Sequence, residues 1–487
     1  MSLQSRAIKG VGWTSISTVI IIGLQLLQLV ILGRILDATA FGLMGMIMVI
    51  TGFAEKFVDM GISNSIIHSK NITTNELSSL YWFNILLGVC ISILIWLVTP
   101  LIILLFKEQD LEKYIHWISF MFLITPLGQQ YRALLLKNFM FNLSAIIETL
   151  SYLIGILFSI MLAVSGKGVD SLVLGLVVTT LVRTILLFFF GKRLYRPKLH
   201  LVFSEISRFL SFGLYQTGES TINYFNTKID TLIIGRFLGA TALGIYTLPF
   251  NIIILPSAKI NPIINKVAFP IFSSIQDEQD RIKKGFFKVL TIVNIINFPI
   301  FFGLYLISPI FITVVFGEKW EPSIEILQIL CGVGLLRSIG NPVGSLMMAT
   351  GNVDLSFKFN AMKLITQLPG ILIGAMLWGI NGVASIYLFL QFIYIIFSYL
   401  YLLKNALGPC LIDYLRTFLP ALFPAMIMGA AILVSNYFIH GVNDFISLIL
   451  KITIGVVIYG ICLLFSRDRV VVDFKKIINV KFNVNIL

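Results

Sequence analysis

Residues 33–42 read GRILDATAFG and residues 235–244 read GRFLGATALG, so one ten-residue stretch occurs twice in the chain. Seven of the ten positions are identical, and the second copy begins 202 residues after the first. Each copy follows one apolar segment and precedes another, which predicts a helix–turn–helix connector at a membrane surface. A repeat on this scale indicates an internal duplication, with one connector in each half of the molecule.

The composition places the chain in a membrane. Of its 487 residues, 57% are hydrophobic and only 12% are charged, and the mean hydropathy is +0.95. A soluble protein of this length could not keep so much apolar surface out of water. The apolar runs are continuous and about twenty residues long, which fits spanning helices rather than the alternating strands of a β-barrel. The expected fold class is an all-α polytopic membrane protein.

Fourteen stretches are apolar and long enough to span a bilayer. They lie near 11–33, 41–60, 79–106, 114–136, 143–165, 169–190, 208–234, 243–272, 286–316, 323–349, 357–378, 380–403, 416–438 and 445–465. The first is too long for a signal peptide and no small-residue cleavage site follows it, so we expect an uncleaved span. The loops between the spans are short.

The basic residues predict the orientation. With both termini placed in the cytoplasm, the inside loops and the adjoining ends of the spans carry 23 Lys and Arg, and the outside loops carry six. This asymmetry follows the positive-inside rule and explains most of the net charge of +13. We therefore expect the basic loops to contact membrane lipids, and we expect no nucleic-acid partner.

The repeat predicts two parallel lobes. Six spans separate the two copies, so both halves enter the membrane in the same direction, and a substrate path is expected between them. The predicted organisation is a six-helix lobe at 1–200, a second at 201–403, two appended helices at 404–465 and a basic cytoplasmic tail at 466–487.

Two spans of the second lobe are polar. The span at 208–234 has polar residues at three- and four-residue spacing, which places them on one helix face. They are Gln216, Glu219, Ser220, Asn223, Asn226, Thr227 and Asp230, with Lys228 nearby. Exposing that polar face to lipid would cost free energy, so the face must contact protein or a water-filled cavity. The next span adds Lys259 and Lys266 on one face, together with four prolines.

Cations outnumber acids inside the spans. Seven Lys and Arg lie within the spans, Arg183 and Lys451 among them, whereas the clear acids there are three: Glu148, Glu219 and Asp230. The surplus predicts an anionic ligand such as phosphate, pyrophosphate or an acidic sugar. The alternative is that side chains near span ends extend to the interface.

The candidate site residues follow from these patterns. The predicted substrate-binding cations are Lys228, Lys259, Lys266, Arg337 and Lys363, and the predicted polar cavity residues are Gln216, Asn223 and Asn226. Glu219 and Asp230 are the candidates for ion coupling, although Asp230 could equally pair with Lys228 or Lys259.

No pattern of an enzyme or a metal site is present in the sequence. A P-loop, a paired-carboxylate site and a nucleophile elbow are all absent. The four cysteines and four histidines are scattered without ligand or disulfide spacing. We therefore expect no cofactor and no catalytic residue.

Several longer stretches follow the order of a known family. They are PLGQQYRALLLKNFMF (126–141), AFPIFSSIQDEQDRIKKGFFKVL (268–290), FGEKWEPSIEILQIL (316–330), NPVGSLMMATGNVDLSFKFN (341–360) and LPGILIGAMLWGINGVA (368–384). With these stretches and the repeated turn, the chain resembles bacterial polysaccharide exporters of the multidrug/oligosaccharidyl-lipid/polysaccharide superfamily. The resemblance is to the branch that contains colanic acid and teichuronic acid exporters.

The resemblance implies a flippase of the bacterial cytoplasmic membrane that works by alternating access. The expected substrate is an undecaprenyl-pyrophosphate-linked oligosaccharide repeat unit for surface polysaccharide or exopolysaccharide. Antiport of H⁺ or Na⁺ is the implied energy source, and polysaccharide polymerase or assembly proteins are the implied partners. No individual binding residue is carried over, because the matching stretches are mostly loops and turns.

Two functions other than export are the alternatives. A drug/cation antiporter of the same superfamily would have an acid-dominated cavity, whereas bases outnumber acids in these spans. A membrane glycan polymerase or ligase would need sizeable outward loops, and the connection near 107–113 is only a handful of residues long.

The repeated turn has a structural and a functional interpretation. In the structural one, Gly33 and Gly235 end a helix while Thr39 and Thr241 cap the next. In the functional one, Arg34 and Arg236 line the outer mouth and receive the anionic headgroup. We expect the structural interpretation to hold.

Overall fold

The computed structural model confirms a helical membrane protein, and no strand occurs in the residues it describes. The described residues are 3–69, 71–274, 278–438, 441–466, 468 and 470–472. Side chains are outside the description at 3–11, 68, 208, 210–216, 219–220, 222, 257–271, 273–274 and 353. The chain forms two compact units, Met1–Thr247 (unit 1) and Leu248–Leu487 (unit 2).

Unit 1 is built from long helices joined by short turns. They are α1 (Leu3–Ile35), α2 (Ala38–Asp59), α3 (Ile62–His68), α4 (Thr74–Phe106), α5 (Leu111–Lys137), α6 (Phe141–Val164), α7 (Val169–Gly191) and the first part of α8 (Phe203–Ser274). Within this unit α4, α6 and α7 pack around α5, and α1 packs on α6.

Unit 2 contains the end of α8 and the remaining helices. They are α9 (Gln279–Phe316), α10 (Ser323–Ala349), α11 (Val353–Phe397), α12 (Lys404–Leu407), α13 (Leu411–Arg416), α14 (Leu419–Phe438) and α15 (Asp444–Phe465). A 3₁₀ turn at Glu318–Trp320 precedes α10, and a π-helical turn at Ser398–Leu403 follows α11.

The predicted spans coincide with helices. Thirteen of the fourteen match a helix to within one residue when the π-helical turn after α11 is included, and the span at 416–438 matches α14, which begins at Leu419. The helices α8 and α11 each hold two predicted spans, separated by a break at Gly239 and at Trp378–Gly379. Among the described residues, eleven helical stretches are long and apolar enough to cross a membrane. The helix α5 is not one of the eleven, and it carries Gln129, Gln130 and Arg132. The lobe boundary at residue 200 stays a prediction.

The helix ends at the repeated turn differ from the prediction. The helix α1 continues to Ile35, and the side chain of Asp37, not Thr39, caps α2 by accepting a hydrogen bond from Ala40 N at 2.9 Å. In the second copy Gly239 breaks the helix with a φ of 83°. A short acceptor and a positive-φ glycine therefore make the turns, because Gly33 and Gly235 keep helical geometry.

The two copies of the turn contact each other within unit 1. The hydroxyls of Thr39 and Thr241 lie 2.9 Å apart. A Cβ added to Gly42 would collide with the carbonyl of Ala240, and a Cβ on Gly244 would collide with the carbonyl of Ala38. Glycine is needed at both positions because the backbones approach too closely for any side chain. The internal repeat is thus also a symmetric contact.

The last two helices dock on α9 in unit 2 through polar groups. Pro299 in α9 leaves the carbonyl of Ile295 without its helical donor, and the hydroxyl of Tyr459 from α15 donates to that carbonyl at 2.8 Å. Asn294 donates to the carbonyl of Thr417, just before α14, at 3.1 Å. Membrane helices tolerate proline where a neighbour satisfies the freed backbone group, as it does here.

Candidate functional site

Two of the predicted substrate-binding cations come together in unit 2. Arg337 lies on α10 and Lys363 on α11, both half-buried, and the two charges lie within electrostatic range of each other. Arg337 Nη1 donates to the hydroxyl of Tyr387 at 3.3 Å. The Nζ atom of Lys363 lies 4.4 Å from the ring centre of Phe359 and 5.6 Å from that of Tyr394. Neither cation forms an ion pair with a described residue.

A hairpin within α11 creates this arrangement. Gly379 has a φ of 61° and lets the helix turn back on itself. The hairpin closes where Gly374 lies against Gly382, since an added Cβ on Gly374 would lie 2.6 Å from the carbonyl oxygen of Gly382. The returning half brings the hydroxyl of Tyr394 to 3.2 Å from the carbonyl of Lys363.

The local chemistry favours an anion. Two like charges held near each other in a low-dielectric environment repel, and an anionic ligand relieves that repulsion. One helical turn after Lys363, the side chain of Gln367 is buried, and its Nε2 has no hydrogen-bond acceptor among the described residues. A guanidinium fork, an ammonium and an amide donor are the groups that proteins use to hold phosphate oxygens.

Unit 1 holds a different group of charges, here called the unit 1 network: Glu55, Arg132, Glu148 and Arg183. Arg132 Nε and Nη2 both donate to Glu148 Oε1, at 2.8 and 2.7 Å. Arg183 on α7 is within electrostatic range of both carboxylates and of Arg132. Glu55 on α2 is exposed, and Lys56 is a further cation near it. The network thus joins four helices.

The polar stripe of α8 is only partly described. Asn223 is exposed, and Asn226 and Lys228 are half-buried. The carboxylate of Asp230 is buried, accepting from the hydroxyl of Tyr246 at 2.8 Å and from the backbone N–H of Thr231 at 2.8 Å. The side chains of Gln216, Glu219, Lys259 and Lys266 lie outside the described residues.

The chain matches a known protein family over more than half of its length. The family model for "Polysaccharide biosynthesis protein" matches residues 31–325. The chain belongs to this polysaccharide biosynthesis family. It is 43% identical to the lipopolysaccharide biosynthesis protein WzxC of Escherichia coli over 84% of this chain and 83% of WzxC. It is 34% identical to the teichuronic acid biosynthesis protein TuaB of Bacillus subtilis over 75% of each chain.

Solved structures show the fold of this family member. An inward closed conformation of the lipid II flippase MurJ superposes with a TM-score of 0.75 at 16% identity, covering 93% of this chain and 98% of MurJ. An inward-facing conformation of a multidrug resistance MATE family transporter of the MOP superfamily superposes with a TM-score of 0.63 at 14% identity, covering 79% of this chain and 94% of that transporter. The protein is therefore a multi-pass membrane protein with the fold that these two transport proteins share.

Sequence reasoning missed half of the unit 1 network. Glu55 and Arg132 both fall inside predicted spans, at 41–60 and 114–136, but they are not among the seven cations and three acids on which the predicted charge surplus rests. Glu148 and Arg183 were noted singly, because their sequence separation gives no sign that they interact. The signal that could have found the group is that all four lie within eight residues of helix ends that the positive-inside prediction places on the same side of the membrane.

The remaining predicted residues of this family member lie near the repeated turn. Arg34 is exposed, and Arg236 donates to the carbonyl of Leu104 at 3.3 Å, so Arg236 has a structural contact. The described part of the chain contains no group of three or more His, Cys, Asp or Glu side chains that could hold a metal ion.

Proposed function

We propose that this protein moves a lipid-linked oligosaccharide, carried on undecaprenyl pyrophosphate, across the bacterial cytoplasmic membrane by alternating access. The single observation that carries the proposal is the pair of Arg337 and Lys363, two cations without an acidic partner among described residues in a membrane helix bundle. Membership of the polysaccharide biosynthesis family and the flippase fold support it. The product would enter surface or exopolysaccharide biosynthesis.

In this proposal the pyrophosphate binds to the cation pair. The guanidinium of Arg337 donates two parallel hydrogen bonds to phosphate oxygens, and the ammonium of Lys363 contributes a point charge. The aromatic rings of Phe359 and Tyr394 fix the position of the ammonium before the ligand arrives. Binding replaces repulsion by attraction, and this differential gain can shift the conformational equilibrium.

Other predicted residues have supporting roles in the proposal. Lys228, Lys259 and Lys266 add positive charge along the path, and Gln216, Asn223 and Asn226 hydrogen-bond to the substrate. Glu219 and Asp230 are the proposed sites for coupling to H⁺ or Na⁺, with Arg34 and Arg236 at the outer mouth. Both termini lie in the cytoplasm, and polymerase or assembly proteins receive the product.

The test is transport by the reconstituted full chain. Vesicles contain labelled undecaprenyl-pyrophosphate-linked oligosaccharide, and its appearance in the opposite leaflet is measured under an imposed proton or sodium gradient. The double variant Arg337→Ala/Lys363→Ala is expected to lose at least about 100-fold in rate, since each charge-assisted contact is worth about 1.5–3 kcal/mol. Lys358→Ala is the matched control, because Lys358 is an exposed lysine on the same helix. Full activity of the double variant, or drug efflux without lipid transport, would reject the proposal.

A further inference from the structure

The facing sides of α4 and α5 in unit 1 carry buried polar groups that the proposed function does not use. Asn84 on α4 and Gln130 on α5 are each 1% exposed. Neither Nδ2 nor Oδ1 of Asn84 has a hydrogen-bond partner among the described residues. Gln130 Nε2 donates to the carbonyl of Leu77 at 2.8 Å, whereas Gln130 Oε1 has no donor among those residues. Burying an amide atom without a partner is unfavourable, so each of these atoms needs one.

Two contacts place Asn84 against the middle of α5. Leu77, Asn84 and Gly88 lie on one side of α4, because they are spaced by seven and four residues. Leu77 contacts Gln130 through the hydrogen bond to its carbonyl. An added Cβ on Gly88 would collide with the carbonyl of Phe122, so that carbonyl is on the side of α5 that faces α4. Asn84 therefore lies between two points at which α4 touches α5.

The carbonyl of Phe122 also lacks its helical donor, because Pro126 has no N–H. The carbonyl that a proline frees in α9, that of Ile295, receives a hydrogen bond from the hydroxyl of Tyr459 at 2.8 Å. In α5 the facing helix presents Asn84, whose amide makes no hydrogen bond with Phe122. A neighbouring side chain thus satisfies one of these two carbonyls directly, and the other is left for a bound molecule.

The unpaired atoms decide which molecule fits. Asn84 Nδ2 is a donor, and Asn84 Oδ1, Gln130 Oε1 and the carbonyl oxygen of Phe122 are acceptors. A metal cation would contact the three oxygens and leave the amide N–H unpaired, whereas an anion would contact only the N–H. Water both donates and accepts, and a buried water typically has two to four such partners.

We propose that internal water molecules bind between α4 and α5 and bridge Asn84 to the carbonyl of Phe122 and to Gln130 Oε1. This water does in unit 1 what the hydroxyl of Tyr459 does in unit 2, so that a predicted span contains a proline without an unpaired carbonyl. The site is separate from the anion site, because all of its groups belong to unit 1.

Thermal unfolding of the full chain in detergent tests the site through Asn84→Leu. Removing the bridge leaves the carbonyl of Phe122 unpaired, so we expect the midpoint to fall by about 2–4 °C. If Asn84 were an unpaired buried amide, its replacement by an apolar residue would raise the midpoint instead. Asn142→Leu, at an exposed asparagine of α6, is the matched control and should leave the midpoint unchanged. A raised or unchanged midpoint in Asn84→Leu would overturn the proposal.

A second variant separates the bridge from packing. Pro126→Ala restores the backbone N–H that the carbonyl of Phe122 lacks, so the water bridge has less to satisfy. In the Pro126→Ala background, Asn84→Leu should therefore lower the midpoint by less than about half as much as in wild type. An equal fall in both backgrounds would assign the effect to the larger volume of leucine and would overturn the bridge.

The water itself is observable in the wild-type protein. A high-resolution cryo-EM map of the full chain in lipid nanodiscs should show density within hydrogen-bond distance of the Asn84 side chain and the Phe122 carbonyl. Replacing sodium chloride by choline chloride should change neither this density nor the unfolding midpoint, because water and not a cation occupies the site. A map without this density, or a density that depends on sodium, would overturn the proposal.

Discussion

The two units handle intramembrane charge in different ways. In unit 1, Arg132 and Glu148 form a direct ion pair, and Arg183 is attracted to two carboxylates. In unit 2, Arg337 and Lys363 lie within range of each other with no acidic partner among described residues. A balanced network is tolerable without a ligand, whereas a like-charged pair is a cost that only a ligand offsets fully. This contrast is the reason for placing the proposed anion site in unit 2.

Tyrosine and phenylalanine rings lessen the cost of the cation pair. The Nζ atom of Lys363 lies over Phe359, and such a contact is worth about 0.5–2 kcal/mol depending on desolvation. This contact stabilises the ammonium without neutralising it. The pair can therefore stay charged and still attract an anion.

A covalent link between the two copies of the repeated turn should stop transport. Cross-linking Thr39→Cys to Thr241→Cys, whose native hydroxyls lie 2.9 Å apart, should stop transport of the lipid-linked oligosaccharide completely, because alternating access must separate this contact. Adding a reductant should restore the rate, and each single cysteine variant serves as a control. Undiminished transport by the fully cross-linked protein would show that the contact stays closed throughout the cycle.

Replacing one cation of the Arg337 and Lys363 pair by an acid should abolish the role of the pair in transport. Arg337→Glu places a carboxylate near Lys363, and we expect about a 100-fold loss of transport because the ammonium is then neutralised by protein rather than by phosphate. The folded fraction in detergent should not fall, since two opposite charges replace two like charges. Lys358→Glu, a charge reversal at an exposed position of the same helix, should transport normally. A fully active Arg337→Glu variant would contradict the anion site.

Removing one charge from the unit 1 network should affect the stability of the protein more than it affects the proposed phosphate contact. Glu148→Gln leaves Arg132 and Arg183 without their shared carboxylate. Because the Arg132 and Glu148 side chains are 52% and 32% exposed, we expect a loss of only about 1–2 kcal/mol. Thermal unfolding in detergent measures it, with Glu112→Gln as the control. An unchanged midpoint would mean that solvent screens the network completely.

The smallest expected effect concerns a charge contact outside the membrane. His200 Nε2 lies 3.0 Å from Glu205 Oε2, and this hydrogen bond lowers the pKa of the Glu205 carboxyl below its usual 4.5. A lowered pKa gives stability that is present above pH 4.5 and is lost as the pH falls through the lowered value. Hydrogen exchange of residues 200–206 should therefore accelerate only below pH 4.5, and Glu205→Gln should remove that step. A step that persists in Glu205→Gln would assign it to another group.

Much of the fold follows from sequence because the bilayer imposes a simple rule. Apolar runs of about twenty residues predicted every spanning helix, since lipid leaves the backbone no other partner than itself. The ends of those helices were predicted less well. At the repeated turn Thr39 was expected as the cap, but Asp37 caps α2 and the Thr39 hydroxyl bonds to Thr241, a contact 202 residues away.

The site was harder to predict than the helices. Arg337 and Lys363 were chosen singly for their charge, and only the turn at Gly379 explains how Tyr387 and Tyr394 come to surround them. The unit 1 network joins four helices, and no sequence spacing encodes that meeting. Periodicity shows which face of one helix is polar, but it does not show which other helix that face meets.

The most direct measurement is the affinity of inorganic pyrophosphate for the full chain in lipid nanodiscs, by titration calorimetry. Wild type should bind it, and Arg337→Ala/Lys363→Ala should bind at least about tenfold more weakly, while Lys358→Ala and Glu55→Ala bind like wild type. Equal affinity in wild type and the double variant would contradict the assignment of the phosphate to unit 2.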